Sequence, residues 1–374
     1  MEDGSAPTRS RVAGPPRPSR PAPSGTRAEA DREPGHGTGA GRAPTLDEVA
    51  RAAGVGRGTV SRVVNGSPQV SDAARAAVQR AVDELGYVPN RAARSLVTRR
   101  TDTVALVVSE DGDRLFGDPF FAATVRGIGE RLAASRHQLV LTMAGCAAER
   151  ARVEEYLTDQ HVDGALLLSM HAGDDLADVL EARGLPTVTA GRPVGRHPAC
   201  VVDAANRAGG RAAVDHLVRS GRRRVAVVSG PLDMSSGVDR LAGARDAWAE
   251  AGRDPDVLRV VEGDYGEGSG ASAMRELLAT GERPDGVFAA SDLMAAGALR
   301  VLRENGIRVP EDVALVGFDD SPVCLLTDPS LTSVRQPVEE MGAVMADLLL
   351  ARIAGREVPA ETVLPTTLVV RASG

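Results

Sequence analysis

The chain has 374 residues, 43% of them apolar but only 2% aromatic, and its 51 acidic side chains outnumber 44 basic ones, all Arg, for a net charge of −7. That length supports a sizeable core and more than one domain, packed mainly by Leu, Val and Ala. No apolar run marks a membrane span, no apolar stretch near the N-terminus marks a secretory signal, and Cys146, Cys200 and Cys324 fit neither a C-x-x-C pair nor a disulfide framework; free thiols in a reducing cytoplasm, with no metal and no cofactor, are expected.

Residues 1–43 hold seven Pro, seven Gly and seven Arg with almost no large apolar side chain. They bury too little surface to offset their ordering entropy, so a disordered tail is expected. Residues 44–100 carry nine Arg against five acids, whereas everything after them is acidic on balance. A basic module ahead of an acidic body suits a polyanionic partner, although a merely solvated face would show the same charge.

Order begins at TLDEVARAAG (45–54), where Thr45 and Glu48 form a capping box, Leu46, Val49, Ala50 and Ala53 share one face, and Gly54 stops the helix. The stretch GVGRGTVSRVVNGSP (54–68) predicts a second helix over 57–64, with Gly56 as N-cap. A third opens at Ser71 and runs through Val78, Val82 and Leu85 to Gly86. On the second helix Val60, Val63 and Val64 face the bundle, which turns Arg57, Gly58, Ser61, Arg62 and Asn65 outward. Inside a helix Gly58 costs about 1 kcal/mol relative to Ala, a cost that makes sense where something approaches the backbone closely. An α-helix fits the DNA major groove, and Arg contacts guanine through two hydrogen bonds. A solvated polar face would account for the arginines but not for the glycine.

From Thr103 the pattern changes to short apolar runs alternating with amphipathic helices: TVALVV (103–108), QLVLTM (138–143), DGALLLS (163–169), PTVTAG (186–191), ACVVD (199–203), RVAVVSG (224–230), VLRVVEGD (257–264), GVFAAS (286–291) and VALVGFD (313–319). Helices are expected between most of them, as at 121–134, 205–219, 238–251 and 292–305. Such runs predict an α/β body with parallel strands covered on both faces, in two doubly wound sheets. A ligand site is expected at the carboxyl ends of the strands, where the lobes face each other.

TLDEVARAAGVGRGTVSRVVNGSPQVSDAARAAVQRAVDELGYVPNRAARSL (45–96) resembles the DNA-binding headpiece of the LacI/GalR family of bacterial repressors. The similarity continues through DPFF (118–121), DAANRAGGRAAVDHLVRSGRRRVAVVSGP (203–231), DRLAGARDAW (239–248) and GFDDSPVCLLTDPSLTSVRQPVEEMG (317–342), so that only the first 43 residues lie outside it. The resemblance implies a helix-turn-helix headpiece (44–89), a hinge helix or linker (90–101), and a two-lobed, type I periplasmic-binding-protein-like domain (102–374) for effector binding and dimerisation. Lobe 1 is then expected at about 102–198 plus 332–358, and lobe 2 at about 199–331 plus 359–374.

By the same resemblance Arg57, Gly58 and Arg62 fall where the family reads bases, and Thr45, Thr59, Asn65 and Ser71 where it meets phosphates. Asn90 begins the hinge segment NRAARSLVT, in which Leu96 matches the family's minor-groove wedge. Gly56 and Gly58 depart from the usual pattern, so the operator sequence does not transfer from relatives. One headpiece covers a half-site, which implies a homodimer on a palindromic operator; the chain ends at VVRASG without the extra heptad helix of the family's tetramers.

For the effector cleft, Arg207 matches the family's effector-contacting arginine and Asp319 follows the strand VALVGF. An Arg and a carboxylate facing one ligand suit the neighbouring hydroxyls of a sugar. Phe120 and Tyr265 offer stacking faces, and Arg240, Ser291 and Asp292 are further candidates. Ion pairing between lobes and core packing are the plainer readings of these residues. The implied function is a sugar-responsive repressor of carbohydrate genes, with a nucleoside or another metabolite as the alternative effector. A different class, an NAD-dependent enzyme, is suggested by GEGSGA (266–271), which fits the dinucleotide fingerprint, with Asp285 downstream, but it opens no first βαβ unit and no catalytic cluster accompanies it. A non-specific architectural DNA-binding protein is the third class weighed, and the large body argues against it.

Overall fold

The computed structural model describes residues 44–88, 100–279, 281 and 283–374. The chain folds as two compact units, 1–89 and 90–374.

The first unit is a three-helix bundle of α1 (Leu46–Ala53), α2 (Arg57–Val64) and α3 (Asp72–Leu85). The capping box forms: the Thr45 hydroxyl accepts the Glu48 N–H at 3.4 Å, and the Glu48 carboxylate accepts the Thr45 N–H at 2.6 Å. Gly54 and Gly86 end α1 and α3 in the left-handed conformation, which a glycine adopts without steric cost. Val49, Ala50, Val60, Val78, Ala81 and Tyr87 make a small core.

The second unit contains two six-stranded sheets. The first orders its strands β11-β5-β4-β3-β1-β2, all parallel, from β1 (Thr103–Val108), β2 (Gln138–Met143), β3 (Gly164–Leu168), β4 (Thr187–Ala190), β5 (Val201–Ala204) and β11 (Glu361–Leu364). The second orders them β12-β10-β9-β8-β6-β7, from β6 (Val225–Ser229), β7 (Arg259–Glu262), β8 (Gly286–Ala289), β9 (Ala314–Asp319), β10 (Thr332–Arg335) and β12 (Thr367–Val369). There β12 alone runs antiparallel, against β10. Around the first sheet lie α4 (Gly112–Gly117), α5 (Pro119–Ala133), α6 (Ala147–Thr158), α7 (Leu176–Ala182) and α13 (Val338–Ile353). Around the second lie α8 (Asn206–Arg219), α9 (Ser235–Glu250), α10 (Glu267–Ala279), α11 (Asp292–Glu304) and α12 (Val323–Leu326). The Val/Leu runs behave as strands covered on both faces: β3 and β6 are buried at every position.

The expected lobe boundaries are each off by one strand. β5 pairs with β4 and β11 in the first sheet, so residues 199–204 belong to lobe 1 rather than lobe 2. β10 pairs with β9 in the second sheet, which places 332–335 in lobe 2, and β11 returns 361–364 to lobe 1. The chain therefore crosses between lobes after β5, after β10 and between β11 and β12. In each sheet the strands that carry the crossovers sit together toward one edge.

In GEGSGA, Gly270 serves helix packing, while nothing lies within 4 Å of where a Gly268 Cβ would stand. A Cβ on Gly270 would lie 2.2 Å from the Met294 carbonyl oxygen, so this glycine lets α10 approach α11.

Candidate functional site

Two sets of side chains matter, one on each unit. On α2, Val60 is buried and Val63 and Val64 pack partly against the bundle core, while Arg57, Gly58, Arg62 and Asn65 are exposed. Arg57 reaches Asp47 only at 3.7 Å with both side chains more than half exposed, a contact worth little in water. Arg62 has no hydrogen-bond or ion-pair partner among the described residues. Nothing lies within 4 Å of where a Gly58 Cβ would stand, so the bundle itself does not demand the glycine. Gly56 caps α2 without a side-chain bond. Thr45 and Ser71 already serve as N-caps of α1 and α3, and Asn65 donates to Ser61 at 3.4 Å. Thr59 is half-buried. Asn90 and Leu96 lie outside the described residues.

In the second unit the facing carboxyl ends of the two sheets enclose a cleft of about 690 Å³, its mouth included. Arg240 is its fixed centre. Rooted on α9 and only 5% exposed, its guanidinium stacks 3.6 Å above the centre of the Phe318 ring. Its Nε donates to Asn206 at 2.8 Å and Nη1 to the Ala290 carbonyl at 2.6 Å, while Asp319 lies 3.6 Å away. Gln336 Nε2 in turn donates to Asp319 at 2.6 Å. On the lobe 1 side, Asp203 Oδ1 accepts from Asn206 and from the Ala204 N–H, both at 2.8 Å. One hydrogen-bonded chain thus runs from Asp203 through Asn206 to Arg240, which donates to Gln336 Oε1 at 3.5 Å, and from Gln336 to Asp319, spanning both lobes.

Three carboxylates and three guanidiniums line the cleft: Asp118, Asp203 and Asp319 with Arg114, Arg192 and Arg240. Burial raises the Asp203 carboxyl to about 6, against the Ala204 N–H and Arg192, which favour the anion. Burial lifts Asp319 well above the ordinary carboxylate range in spite of Arg240, and it raises Asp118 as well. Each anion therefore gains from a further donor. Tyr265 closes one wall, its ring packed so tightly on Gly230 that a Cβ there would lie 2.2 Å from it, and its hydroxyl 2.7 Å from Ser236 Oγ. Phe120 stands edge-on to Phe121 on the opposite lobe.

Of the seven residues expected at the effector, Phe120, Arg240, Tyr265 and Asp319 line this cleft. Arg207 does not. One residue into α8, its side chain turns outward and pairs bidentately with Asp246 of α9 at 2.6 and 2.9 Å, largely exposed, while the preceding Asn206 takes the place in the cleft. Ser291 and Asp292 sit behind the wall. Ser291 Oγ donates to the Tyr265 carbonyl at 2.7 Å and so holds that residue's left-handed backbone, φ 70°. Asp292 is buried and accepts from the Ser321 N–H at 2.7 Å and Ser333 Oγ at 2.6 Å. Burial raises it to about 6.

Sequence reasoning missed Arg114, Asp118, Arg192, Asp203, Asn206 and Gln336. Asp203 ends a predicted strand and Asp118 opens the DPFF motif, so both carried a signal of position. Gly191, φ 69°, also lines the cleft; a Cβ there would meet Ser235 Oγ at 3.4 Å and approach Asp203 at 3.9 Å. The carboxylate facing this corner comes from Asp203 on the neighbouring strand.

Residues 45–90 match the model of bacterial regulatory proteins of the lacI family, and 214–374 match a periplasmic binding protein-like domain. The chain is 54% identical over 336 residues to the HTH-type transcriptional regulator CelR of Thermobifida fusca, covering 89% of this chain and 99% of that protein. It is 37% identical to the HTH-type transcriptional regulator GalR of Escherichia coli, over 88% and 95% of the two chains. Among solved structures, a transcriptional regulator CelR–cellobiose complex shares 52% identity and a TM-score of 0.71, over 88% of this chain and all of that one. The lac repressor dimer bound to operator and the anti-inducer ONPF superposes with a TM-score of 0.78 at 29% identity, over 89% and 99%.

Proposed function

Because the chain belongs to the LacI family of bacterial regulatory proteins, we propose that its cleft binds a neutral disaccharide of the cellobiose kind, and that this effector releases a homodimer from a palindromic operator controlling carbohydrate genes. The protein is a DNA-binding transcriptional regulator with a sugar effector.

The observation that carries the disaccharide reading is the balanced cleft. Its three guanidiniums donate and its three carboxyl groups, which burial has raised, gain from further donors, a mixed lining that suits the hydroxyls of a polyol, which both donate and accept. Tyr265 and Phe120 supply apolar faces for sugar rings. The relative solved with cellobiose is more than half identical over the whole span. No helix among the described residues is long and apolar enough to cross a membrane, in keeping with action on DNA in the cytoplasm.

On α2, Arg57 and Arg62 are the base-reading candidates and Gly58 leaves room for the groove wall; Thr45, Thr59, Asn65 and Ser71 are the phosphate-contact candidates, and Asn90 and Leu96 are candidates by family resemblance. The protein acts by binding and has no reaction of its own to catalyse.

Calorimetric titration with cellobiose, glucose, a phosphorylated disaccharide and adenosine tests the effector. Saturable binding of cellobiose, with the phosphorylated sugar and the nucleoside much weaker, is expected; preference for either of the latter would overturn the reading.

A further inference from the structure

All crossovers join the lobes at one edge of the sheets, and farther from that edge non-covalent contacts hold the lobes together. There the loop after β3 and the loop after β4 in lobe 1 meet the start of α9 in lobe 2. Arg192 donates to Asp239 at 3.0 Å, its backbone N–H reaches Ser235 Oγ at 3.3 Å, and Pro193 forms an isolated β-bridge with Met234. Farther out, His171 Nδ1 lies 2.9 Å from the Asp233 carboxylate of lobe 2, while its Nε2 lies 3.7 Å from Glu110 of its own lobe.

We propose that His171 and Asp233 form a proton-operated latch between the lobes, in which an imidazolium at residue 171 favours lobe closure and with it effector retention. The imidazole is within hydrogen-bond distance of the lobe 2 carboxylate of Asp233 and stands 3.7 Å from Glu110 of lobe 1, so the charged ring is attracted to an acid on each lobe, closely to the first and at longer range to the second. Of the other charges around it, Arg114 shares Glu110 with it, and among the described residues neither Arg114 nor Arg150 pairs with Asp233. Arg114 lies 3.7 Å from Glu110, and Arg150 is engaged by Asp174 and Asp175. Asp111 is occupied capping α4, and on the lobe 2 side Glu262 accepts the Leu232 N–H at 2.9 Å. His171 is therefore the cation between acids.

Glu110 first and Asp233 next raise His171 to about 9, against the opposing effect of partial burial. Opening the lobes removes Asp233 and lowers that value. The latch therefore contributes fully below the open-state value and is lost as pH rises through about 9. The Arg192–Asp239 pair still joins the lobes at 3.0 Å, so alkaline pH loosens the closed form rather than abolishing it.

The direct test needs no effector. In a Cys146→Ser background, spin labels on Arg152→Cys in lobe 1 and Arg275→Cys in lobe 2 report the distance between lobes. In the otherwise unaltered protein the distance should lengthen or broaden between pH 7 and 10, whereas His171→Ala and Asp233→Asn should show the long distribution already at pH 7 and no response to pH. His171→Gln, which keeps the size of the ring's neighbourhood filled, should behave like His171→Ala. A pH-independent distance, or variants that track the parent, would overturn the latch. The ligand readout rests on the effector reading: cellobiose affinity should weaken about three- to tenfold from pH 7 to 9.5 and stay flat in His171→Ala. Absence of cellobiose binding at every pH would sink the effector reading alone and leave the distances to decide the latch.

Discussion

The recognition helix and the effector cleft use the same residue, arginine, in opposite ways. On α2 the guanidiniums of Arg57 and Arg62 stand in water with at most a weak partner, so their donors remain available to an incoming polyanion. In the cleft Arg240 is buried, stacked and committed to Asn206, Ala290 and Asp319 before any ligand arrives. An exposed cation supplies contacts on demand and costs nothing when idle. A buried one has to be satisfied beforehand, and what it contributes is the fixed placement of its neighbours. Removing one should therefore affect one ligand, and removing the other should damage a site.

The largest effect is expected where a committed group is removed. Arg240→Ala leaves Asn206 and Asp319 without their partner, a loss of about 3–5 kcal/mol for a buried, hydrogen-bonded charge. Effector binding should fall below detection in calorimetry, while operator affinity without effector stays near that of the parent. Retention of cellobiose affinity would mean the cleft does not depend on its fixed centre.

Arg62→Ala breaks the other side of the comparison. It removes an exposed side chain, so thermal stability should hardly change, but operator binding should weaken by about 1–3 kcal/mol and random-sequence DNA far less. Equal losses on both DNAs, measured by fluorescence anisotropy, would assign Arg62 to phosphate.

The buried acids give a pH signature that the exposed helix lacks. In the empty cleft Asp203 titrates at about 6 because burial disfavours its anion. Hydroxyl donors from a sugar favour the anion, so binding expels protons and affinity drops as pH falls through that value. Between pH 7.5 and 5 the effector should lose roughly tenfold in affinity, and Asp203→Asn should flatten much of that slope. Operator binding over the same range should not follow it.

The smallest effect belongs to the residue the sequence placed wrongly. Arg207 pairs with Asp246 on the surface, so Arg207→Ala should leave the thermal midpoint almost unchanged and effector affinity intact. A loss comparable to that of Arg240→Ala would put it back in the site.

The headpiece was nearly all legible. Capping box, left-handed glycines and the i, i+3, i+4 valines are local rules, and α1, α2 and α3 end where those rules end them. The central strands were legible too, because double burial writes them as Val/Leu runs. β10, β11 and β12 were not: they are three or four residues long, TSVR, ETVL and TLV, and two of them are partly exposed sheet edges. Missing them shifted the lobe boundaries. In the cleft, Asp319 at a strand end was readable, whereas the choice between Arg207 and Asn206 turns on about 100° of helix rotation, which spacing from a relative does not resolve. Arg192 follows a strand end but lies in a loop with no pattern, and its 3.0 Å partner Asp239 comes from the other lobe.

The claim that joins the two regions is that occupancy of the buried site changes what the exposed helix can hold. Operator affinity should be measured with and without saturating cellobiose, for the parent protein and for Arg240→Ala. The expected result is at least about a tenfold loss of operator affinity on adding the sugar to the parent, an equal loss of sugar affinity on adding operator, and no response in the variant. Cellobiose binding tightly to the parent with operator affinity unchanged would contradict it.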